Sequence, residues 1–141
     1  MILLDTNVVS EPLKLTGDRG VLKWIDAQII ETLYLSTISL AELRFGIAAL
    51  APGKRRDTLQ TSLEQRILPL FAGRILPFDA AASEAYAVLR ARARTEGKAI
   101  APADGYIAAT AKSHGLIVAT RDVGPFEAAG LTVINPWNAQ Y

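Results

Sequence analysis

The feature of this sequence that most constrains its fold is an alternation of short apolar runs with longer segments of helical periodicity. The runs lack the regular alternation of polar and apolar residues that a strand with one solvent-exposed face shows, as expected for strands buried on both faces. They predict strands over residues 2–4, 33–35, 74–78, 116–119 and 132–134. Strands that alternate with helices predict an α/β fold with a mostly parallel sheet of about five strands, covered on both faces.

The segments between the runs carry apolar residues at the spacing of one helix face. They predict helices over residues 21–29, 40–50, 59–70, 80–96 and 102–115. No linker, internal repeat or low-complexity tract interrupts this pattern, and 141 residues are enough for one modest core. We therefore predict a single domain spanning residues 1–141.

The composition excludes several classes of protein. Half of the residues are hydrophobic and charges of both signs are mixed, which excludes a disordered chain. No apolar run approaches the roughly 20 residues of a membrane span, and we do not expect the first residues to act as a signal peptide. The chain has no Cys and one His, His114, which excludes disulfides, thiolate chemistry and a His/Cys zinc site. These features favour a cytoplasmic protein with no membrane partner.

Four acidic side chains fall where the chain leaves a predicted strand or enters the helix beyond it. Asp5 ends the first strand, Asp122 follows the fourth, and Glu42 and Asp104 open two helices. The carboxyl ends of parallel strands share one edge, where ligands bind, so we expect these carboxylates to converge. Each acid alone also fits a structural role as a cap, a first-turn acid or a turn residue. The spacing of Ser39 and Glu42, for example, matches a capping box.

Carboxylates gathered in one cleft raise one another's pKa values, and a divalent cation removes that penalty. Ligands that are all oxygen select hard ions, here Mg²⁺ or Mn²⁺. Such ions lower the pKa of bound water and stabilise the oxygens of a phosphoryl displacement, so no histidine base is needed. Thr6, Asn7 and Thr120 are candidates for orienting the acids or the water.

The motifs at these positions resemble those of PIN-domain ribonucleases of the VapC toxin family, and in particular of its FitB-like branch. The family resemblance rests on residues 1–7, 39–46, 104–111 and 118–122, and the branch resemblance on residues 67–78 and 135–137. It extends over essentially the whole chain. It implies a PIN-like three-layer α/β/α sandwich and Mg²⁺- or Mn²⁺-dependent endoribonuclease activity, in the toxin of a type II toxin–antitoxin pair.

On this resemblance the four acids correspond to the catalytic and metal-binding residues of the family, and Thr120 and Asn7 to supporting positions. Asp5 and Asp104 are expected as direct metal ligands, while Asp122 and Glu42 would bind directly or through water. The resemblance also implies a homodimer and a cognate antitoxin of the ribbon-helix-helix type, whose tail occludes the cleft. Operator DNA would be bound only through that antitoxin.

The formal net charge of +1 gives no general attraction to nucleic acid, so an RNA substrate has to be held by local cations. The densest basic stretch supplies Arg90, Arg94 and Lys98, and Arg121 lies beside Asp122. These four residues are candidate RNA contacts. For the helical ones, a solvated helix face is the alternative interpretation.

Two other functions remain open at this stage. One is a catalytically weak or inert partner of a DNA-binding antitoxin, acting mainly in operon repression. The other is a receiver-like phosphoacceptor domain, which is also α/β with clustered acids and Mg²⁺. Asp79, after the third predicted strand, is the one feature that favours a receiver.

Overall fold

The computed structural model describes residues 1–138 and confirms the predicted α/β class. All four pairs of neighbouring strands in the described part are parallel. The strands are β1 (Ile2–Leu4), β2 (Leu33–Ser36), β3 (Ile75–Leu76), β4 (Ile117–Ala119) and β5 (Val133–Ile134), in the order β3-β2-β1-β4-β5. The end of the predicted domain, residues 139–141, lies outside the described residues.

Seven α-helices lie within residues 1–138, of which the longest is in the second half of the chain. They are α1 (Thr6–Val9), α2 (Arg19–Ala27), α3 (Thr37–Ala48), α4 (Lys54–Thr61), α5 (Ala80–Thr95), α6 (Pro102–Ser113) and α7 (Val123–Ala128). A π-helical segment, Ser62–Ile67, and a 3₁₀ turn, Leu68–Phe71, continue α4. The predicted helix over residues 59–70 is therefore helical throughout but has three geometries.

Two apolar cores, one on each face of the sheet, make three layers. Successive side chains of β1 point to opposite faces, as the pleat requires. Ile2 and Leu4 join a core with α2 and α3, whereas Leu3 joins a core with α5, α6 and α7. All three side chains are under a tenth exposed. Both faces of the sheet are thus apolar, which explains the continuous hydrophobic run of β1 and confirms the predicted three-layer sandwich.

No helix in residues 1–138 is long and apolar enough to cross a membrane.

The strand order reverses between β1 and β4. From β1 the chain adds β2 and then β3 on one side, and it crosses over to add β4 and β5 on the other. In open parallel sheets the crevice at such a reversal, outside the carboxyl ends of the strands, is where ligands bind. β1 ends directly before Asp5, and β4 ends directly before Thr120.

The third strand is shorter than predicted. The prediction over residues 74–78 covers a β3 of only two residues, Ile75 and Leu76. Pro77 follows at once, and because proline has no backbone N–H it cannot continue a ladder. The fourth and fifth strands each begin one residue later than predicted, at Ile117 and Val133.

The capping box proposed for Ser39 and Glu42 is wrong. The cap of α3 is Ser36, whose hydroxyl oxygen accepts a hydrogen bond from the Ser39 backbone N–H at 3.0 Å. Ser36 has the extended backbone that a cap requires, and the helix already begins at Thr37. Glu42 therefore lies in the second turn, not at the opening of the helix, and its side chain is exposed.

Candidate active site

Asp5 lies at the reversal point and is only 5% exposed. It is the N-cap of α1, and its backbone N–H continues the ladder to the Ala119 carbonyl at 2.9 Å. Both carboxylate oxygens accept hydrogen bonds. The Thr6 backbone N–H donates to Oδ1 at 2.8 Å, and the Thr120 hydroxyl donates to Oδ2 at 2.7 Å. The carboxylate is thus fixed by the ends of two adjacent strands.

Thr120 connects the first acid to the fourth. Its hydroxyl is completely buried, donates to Asp5 and accepts a hydrogen bond from the Asp122 backbone N–H at 3.0 Å. The Asn7 side-chain Nδ2 lies 3.4 Å from the same hydroxyl, and the side-chain Oδ1 of Asn7 accepts from the Arg121 backbone N–H at 3.3 Å. Two of the predicted supporting residues therefore join the loops after β1 and β4.

Glu42 is held by the third predicted supporting residue. The Thr6 hydroxyl donates to Glu42 Oε1 at 2.7 Å and lies 2.9 Å from the Ser39 hydroxyl. The sequence interpretation missed Ser39 as a contact of this group. Its spacing from Glu42 was the available signal, since residues three apart on a helix share a face.

Asp104 and Asp122 lie at the N-termini of two helices, but neither carboxylate makes a capping bond. Asp104 is half-buried in the first turn of α6, which begins with Pro102 and has no side-chain cap. Asp122 is the N-cap of α7 and is exposed, with no hydrogen bond from its side chain to the helix. Asp104 therefore has the first-turn position of its structural alternative, and neither carboxylate serves as a side-chain cap.

We call Asp5, Glu42, Asp104 and Asp122 the acidic edge. Burial, the largest effect, raises the pKa of Asp5 to about 6, although its hydrogen bonds from Thr120 and Thr6 oppose the rise. Asp104 and Glu42 raise the pKa of Asp5 further by repulsion. Burial also raises the pKa of Asp104, together with repulsion from Asp122 and Glu42. These interactions bring the four predicted acids into one electrostatic group. None of the four forms a salt bridge within residues 1–138.

Within the described part of the chain, no group of three or more acidic or histidine side chains is arranged to hold a metal ion. The chemistry of the donors nevertheless fits a hard divalent cation. They are all oxygens, the buried Asp5 has no cationic partner, and the members repel one another. Asp122 is exposed and its side chain makes no capping bond, so it can change rotamer around an ion, whereas Glu42 is restrained by the Thr6 hydroxyl.

Three of the four candidate RNA contacts line one pocket of about 530 Å³ formed by α5 and the loop that follows it. We call it the basic pocket; the polar side chains that line it are Tyr86, Arg90, Arg94 and Lys98. Tyr86 was not identified from the sequence, although its i, i+4 spacing to Arg90 is the spacing of helix-face neighbours. Arg121 lies elsewhere, exposed beside Asp122, with its guanidinium 5.2 Å from the centre of the Trp137 ring.

The receiver alternative is wrong. Receiver domains have the strand order 2-1-3-4-5, whereas this sheet has the order 3-2-1-4-5 and puts β3 at an edge. Asp79, the residue that favoured it, is the N-cap of α5, and its carboxylate accepts from the Ala82 N–H at 3.0 Å.

A five-stranded parallel sheet with acidic side chains at its reversal point and helices on both faces defines a three-layer α/β domain. A model of the PIN domain matches residues 2–131, and the chain belongs to the PIN-domain family. Its relatives place it among the VapC and FitB toxins of toxin–antitoxin systems, a family of ribonucleases.

Two relatives and one solved structure support that assignment. The chain is 65% identical to the VapC ribonuclease Y4jK of Sinorhizobium fredii, over 97% of this chain and 98% of that protein. It is 59% identical to the toxin FitB of Neisseria gonorrhoeae, over 98% of this chain and 99% of that protein. A structure of FitAB bound to an IR36 DNA fragment contains a chain 55% identical to this one, with a TM-score of 0.96, over 100% of this chain and 99% of that chain.

Proposed function

We propose that this chain is an Mg²⁺- or Mn²⁺-dependent endoribonuclease, and that the acidic edge is its active site. The observation that carries the proposal is the state of Asp5, a carboxylate 5% exposed with no cationic partner and repelled by Asp104 and Glu42. Burying a carboxylate that has no cationic partner costs stability. Such carboxylates are therefore found mainly at functional sites, where a bound partner neutralises the charge. The ribonuclease relatives and the oxygen-only donor set support a divalent ion as that partner.

In this proposal Asp5 and Asp104 hold the ion, with Asp122 and Glu42 completing the site directly or through water. The bound ion would stabilise charge on the phosphodiester oxygens and make water easier to ionise. The chain's own residues position the acids. The Thr120 hydroxyl and the Thr6 N–H fix both oxygens of Asp5, and the Thr6 hydroxyl restrains Glu42. In the proposal, Arg121, which is exposed beside Asp122, would contact RNA.

The experiment compares RNA cleavage by the antitoxin-free chain with that of two variants, with Mg²⁺, with Mn²⁺ and with a chelator. Asp104→Asn removes a proposed ion ligand, and Asp57→Asn is the matched control. Both residues are first-turn helix acids, but Asp57 is exposed on α4. We expect Asp104→Asn to lose at least about a hundredfold in activity, because the ion loses a charged ligand, and Asp57→Asn to cleave like the parent chain. Equal cleavage by both variants would refute the acidic site, and cleavage in chelator would refute the ion.

We further propose that the chain pairs with a cognate antitoxin of the ribbon-helix-helix type, binds operator DNA only through it, and forms a homodimer. The structure of FitAB with DNA supports such an assembly, because one of its chains is so similar to this one. Because RNA is the proposed substrate, we place the activity in the cytoplasm. Sedimentation of the chain alone tests the homodimer, sedimentation with antitoxin tests the pairing, and sedimentation with antitoxin plus operator DNA tests DNA binding. DNA binding by the chain alone would contradict the proposed order.

A further inference from the structure

The basic pocket has a charge opposite to that of the acidic edge. It lies along the C-terminal half of α5 and the loop that follows, and Ile100 is among its apolar lining residues. No acidic residue lines it. Its volume of about 530 Å³ is in the range of small-ligand sites. The pocket is therefore large enough for a nucleotide and cationic enough to favour an anion.

Arg90 is held in place within this pocket. Its Nη1 donates to the Tyr86 hydroxyl at 2.6 Å, and its guanidinium carbon lies 5.4 Å from the centre of the same ring. Neither Arg90 nor Arg94 is paired with a carboxylate in residues 1–138. Lys98 lies 3.7 Å from Glu96, a loose pair. The remaining N–H groups of Arg90 are thus free to bind an oxyanion, and less side-chain entropy is lost when they do.

The same tyrosine connects the pocket to the acidic edge. The Tyr86 ring stacks on Tyr106 at 4.8 Å, and Phe78 packs edge-on against both rings. Tyr106 and Gly105 follow Asp104 directly in the first turns of α6. A Cβ at Gly105 would lie 2.9 Å from Tyr86 Cε2 and 3.4 Å from Arg90 Cδ. Arg90 therefore lies against the backbone next to Asp104.

We propose that the basic pocket is a phosphate subsite for single-stranded RNA, with Arg90 and Arg94 gripping a phosphate next to the one that is cleaved. This rests on the proposed ribonuclease function and adds how the substrate is held. The acidic edge repels RNA, and the chain's net charge is only +1, so affinity must come from a local group of cations. Arg90 and Arg94 are one turn apart on the same helix face, and the planar guanidinium matches a phosphate bidentately.

The test uses charge removal on two faces of one helix. The double variant Arg90→Gln/Arg94→Gln removes the proposed grip. Arg92→Gln, which removes one charge, is the control for each single variant, Arg90→Gln and Arg94→Gln, because Arg92 is 73% exposed and pairs with Glu96 at 3.3 Å, on a different face of α5. Each protein, free of antitoxin, is titrated into fluorescein-labelled oligouridylate in chelator, and binding is followed by anisotropy at several salt concentrations. Cleavage is then measured with Mn²⁺, to separate KM from kcat.

We expect the double variant to bind RNA at least about tenfold more weakly, since charge-assisted hydrogen bonds are lost. A plot of the logarithm of the RNA-binding constant against the logarithm of the salt concentration should become shallower by about 0.7 for each phosphate contact removed. KM should rise with little change in kcat, and Arg92→Gln should match the parent chain. Tyr86→Phe keeps the ring packing but frees the guanidinium, so we expect a smaller loss of affinity.

Two outcomes would overturn the subsite. One is equal RNA affinity for the double variant and Arg92→Gln. The other is unchanged RNA affinity with weakened binding of the antitoxin, which would make the pocket a site for an acidic protein segment. The two proposals fail separately. If the parent chain binds RNA through Arg90 and Arg94 but never cleaves it, the subsite stands and the ribonuclease falls.

Discussion

The acidic edge and the basic pocket both adjoin the first turn of α6, but they are built in opposite ways. The buried member of the edge, Asp5, lies at the end of a strand, is 5% exposed, and has both oxygens hydrogen-bonded. Arg90 projects from a helix face, is half-buried, and is held by one phenol. The edge fixes charge at a cost in stability, whereas the pocket holds charge where water still solvates it. Substitutions at the edge should therefore change both activity and stability, and those at the pocket should change affinity alone.

The largest expected effect is that of Asp5→Asn on cleavage. The variant keeps the size of the side chain but removes the charge that would bind the ion. We expect activity to fall at least about a hundredfold, measured as initial rates of RNA cleavage in Mn²⁺. Asp18→Asn is the control, because Asp18 also caps a helix and asparagine caps equally well. If Asp5→Asn cleaved RNA like the parent chain, the acidic edge would not be required for cleavage, and its contrast with the basic pocket would fail.

The second effect is on how the free energy of unfolding depends on pH when no divalent ion is present. Folding raises the pKa of Asp5 from 3.8 to about 6, so the folded state binds this proton more tightly than the unfolded state does. The resulting stabilisation is complete below pH 3.8 and is lost as the pH rises through about 6. It amounts to about 3 kcal/mol in the free energy of unfolding.

Urea denaturation in chelator at a series of pH values measures this loss. Asp5→Asn should flatten the profile in that range, because it has no proton to lose. Mg²⁺ should reduce the loss above pH 6, since an ion that binds only the folded state stabilises it. A parent profile that matches that of Asp5→Asn would show that Asp5 is not strained by its burial.

A smaller effect is expected for Thr120→Val, which keeps the side-chain shape but removes the hydroxyl. Asp5 loses a donor and the Asp122 N–H loses its acceptor, so we expect a loss of about 1–3 kcal/mol in stability and about tenfold in activity. Thr110→Val is the matched control, because Thr110 is equally buried but its hydroxyl donates to the Tyr106 carbonyl within α6. If both variants lose the same activity, the hydroxyl of Thr120 has no special role in the site.

The smallest effect concerns the contact between the two regions. Gly105→Ala would push the Tyr86 ring and the Arg90 stem away from α6, and we expect RNA affinity to fall by about threefold with kcat unchanged. Gly46→Ala is the control. Gly46 also lies inside a helix but has open space around it, so alanine there should stabilise the chain by up to about 1 kcal/mol. Equal RNA affinities for the two variants would show that the close approach at Gly105 does not position Arg90.

The sequence predicted the parts of the fold that leave a periodic or apolar signal. β1 was predicted to the residue, and the convergence of the acids followed from the rule for parallel sheets. α1 and α7 were missed because four and six residues are too few for a helical period to show. The wrong cap at Ser39 shows a different limit. Ser36 and Ser39 are both serines near the start of α3, and only the backbone conformation at Ser36 decides between them.

The support of the site was predicted less well than its acids. Thr6, Asn7 and Thr120 were found because they are neighbours in sequence of two of the acids. Tyr86 was not, although its i, i+4 spacing to Arg90 is a local signal. Its stacking on Tyr106 comes from the packing of α5 on α6, and no local pattern encodes that contact. The pKa of Asp5 also depends on burial at the junction of two strands, which a sequence does not quantify.

The edges of the sheet have a consequence for how other chains can attach. β3 and β5, the outermost strands, are only two residues long. A peptide that added a strand at either edge of the sheet would have very few main-chain N–H and C=O groups to pair with. Short edge strands are also one way in which proteins avoid edge-to-edge aggregation. Tight association with this molecule therefore has to use its helical faces and its side chains, and self-assembly by strand exchange is disfavoured.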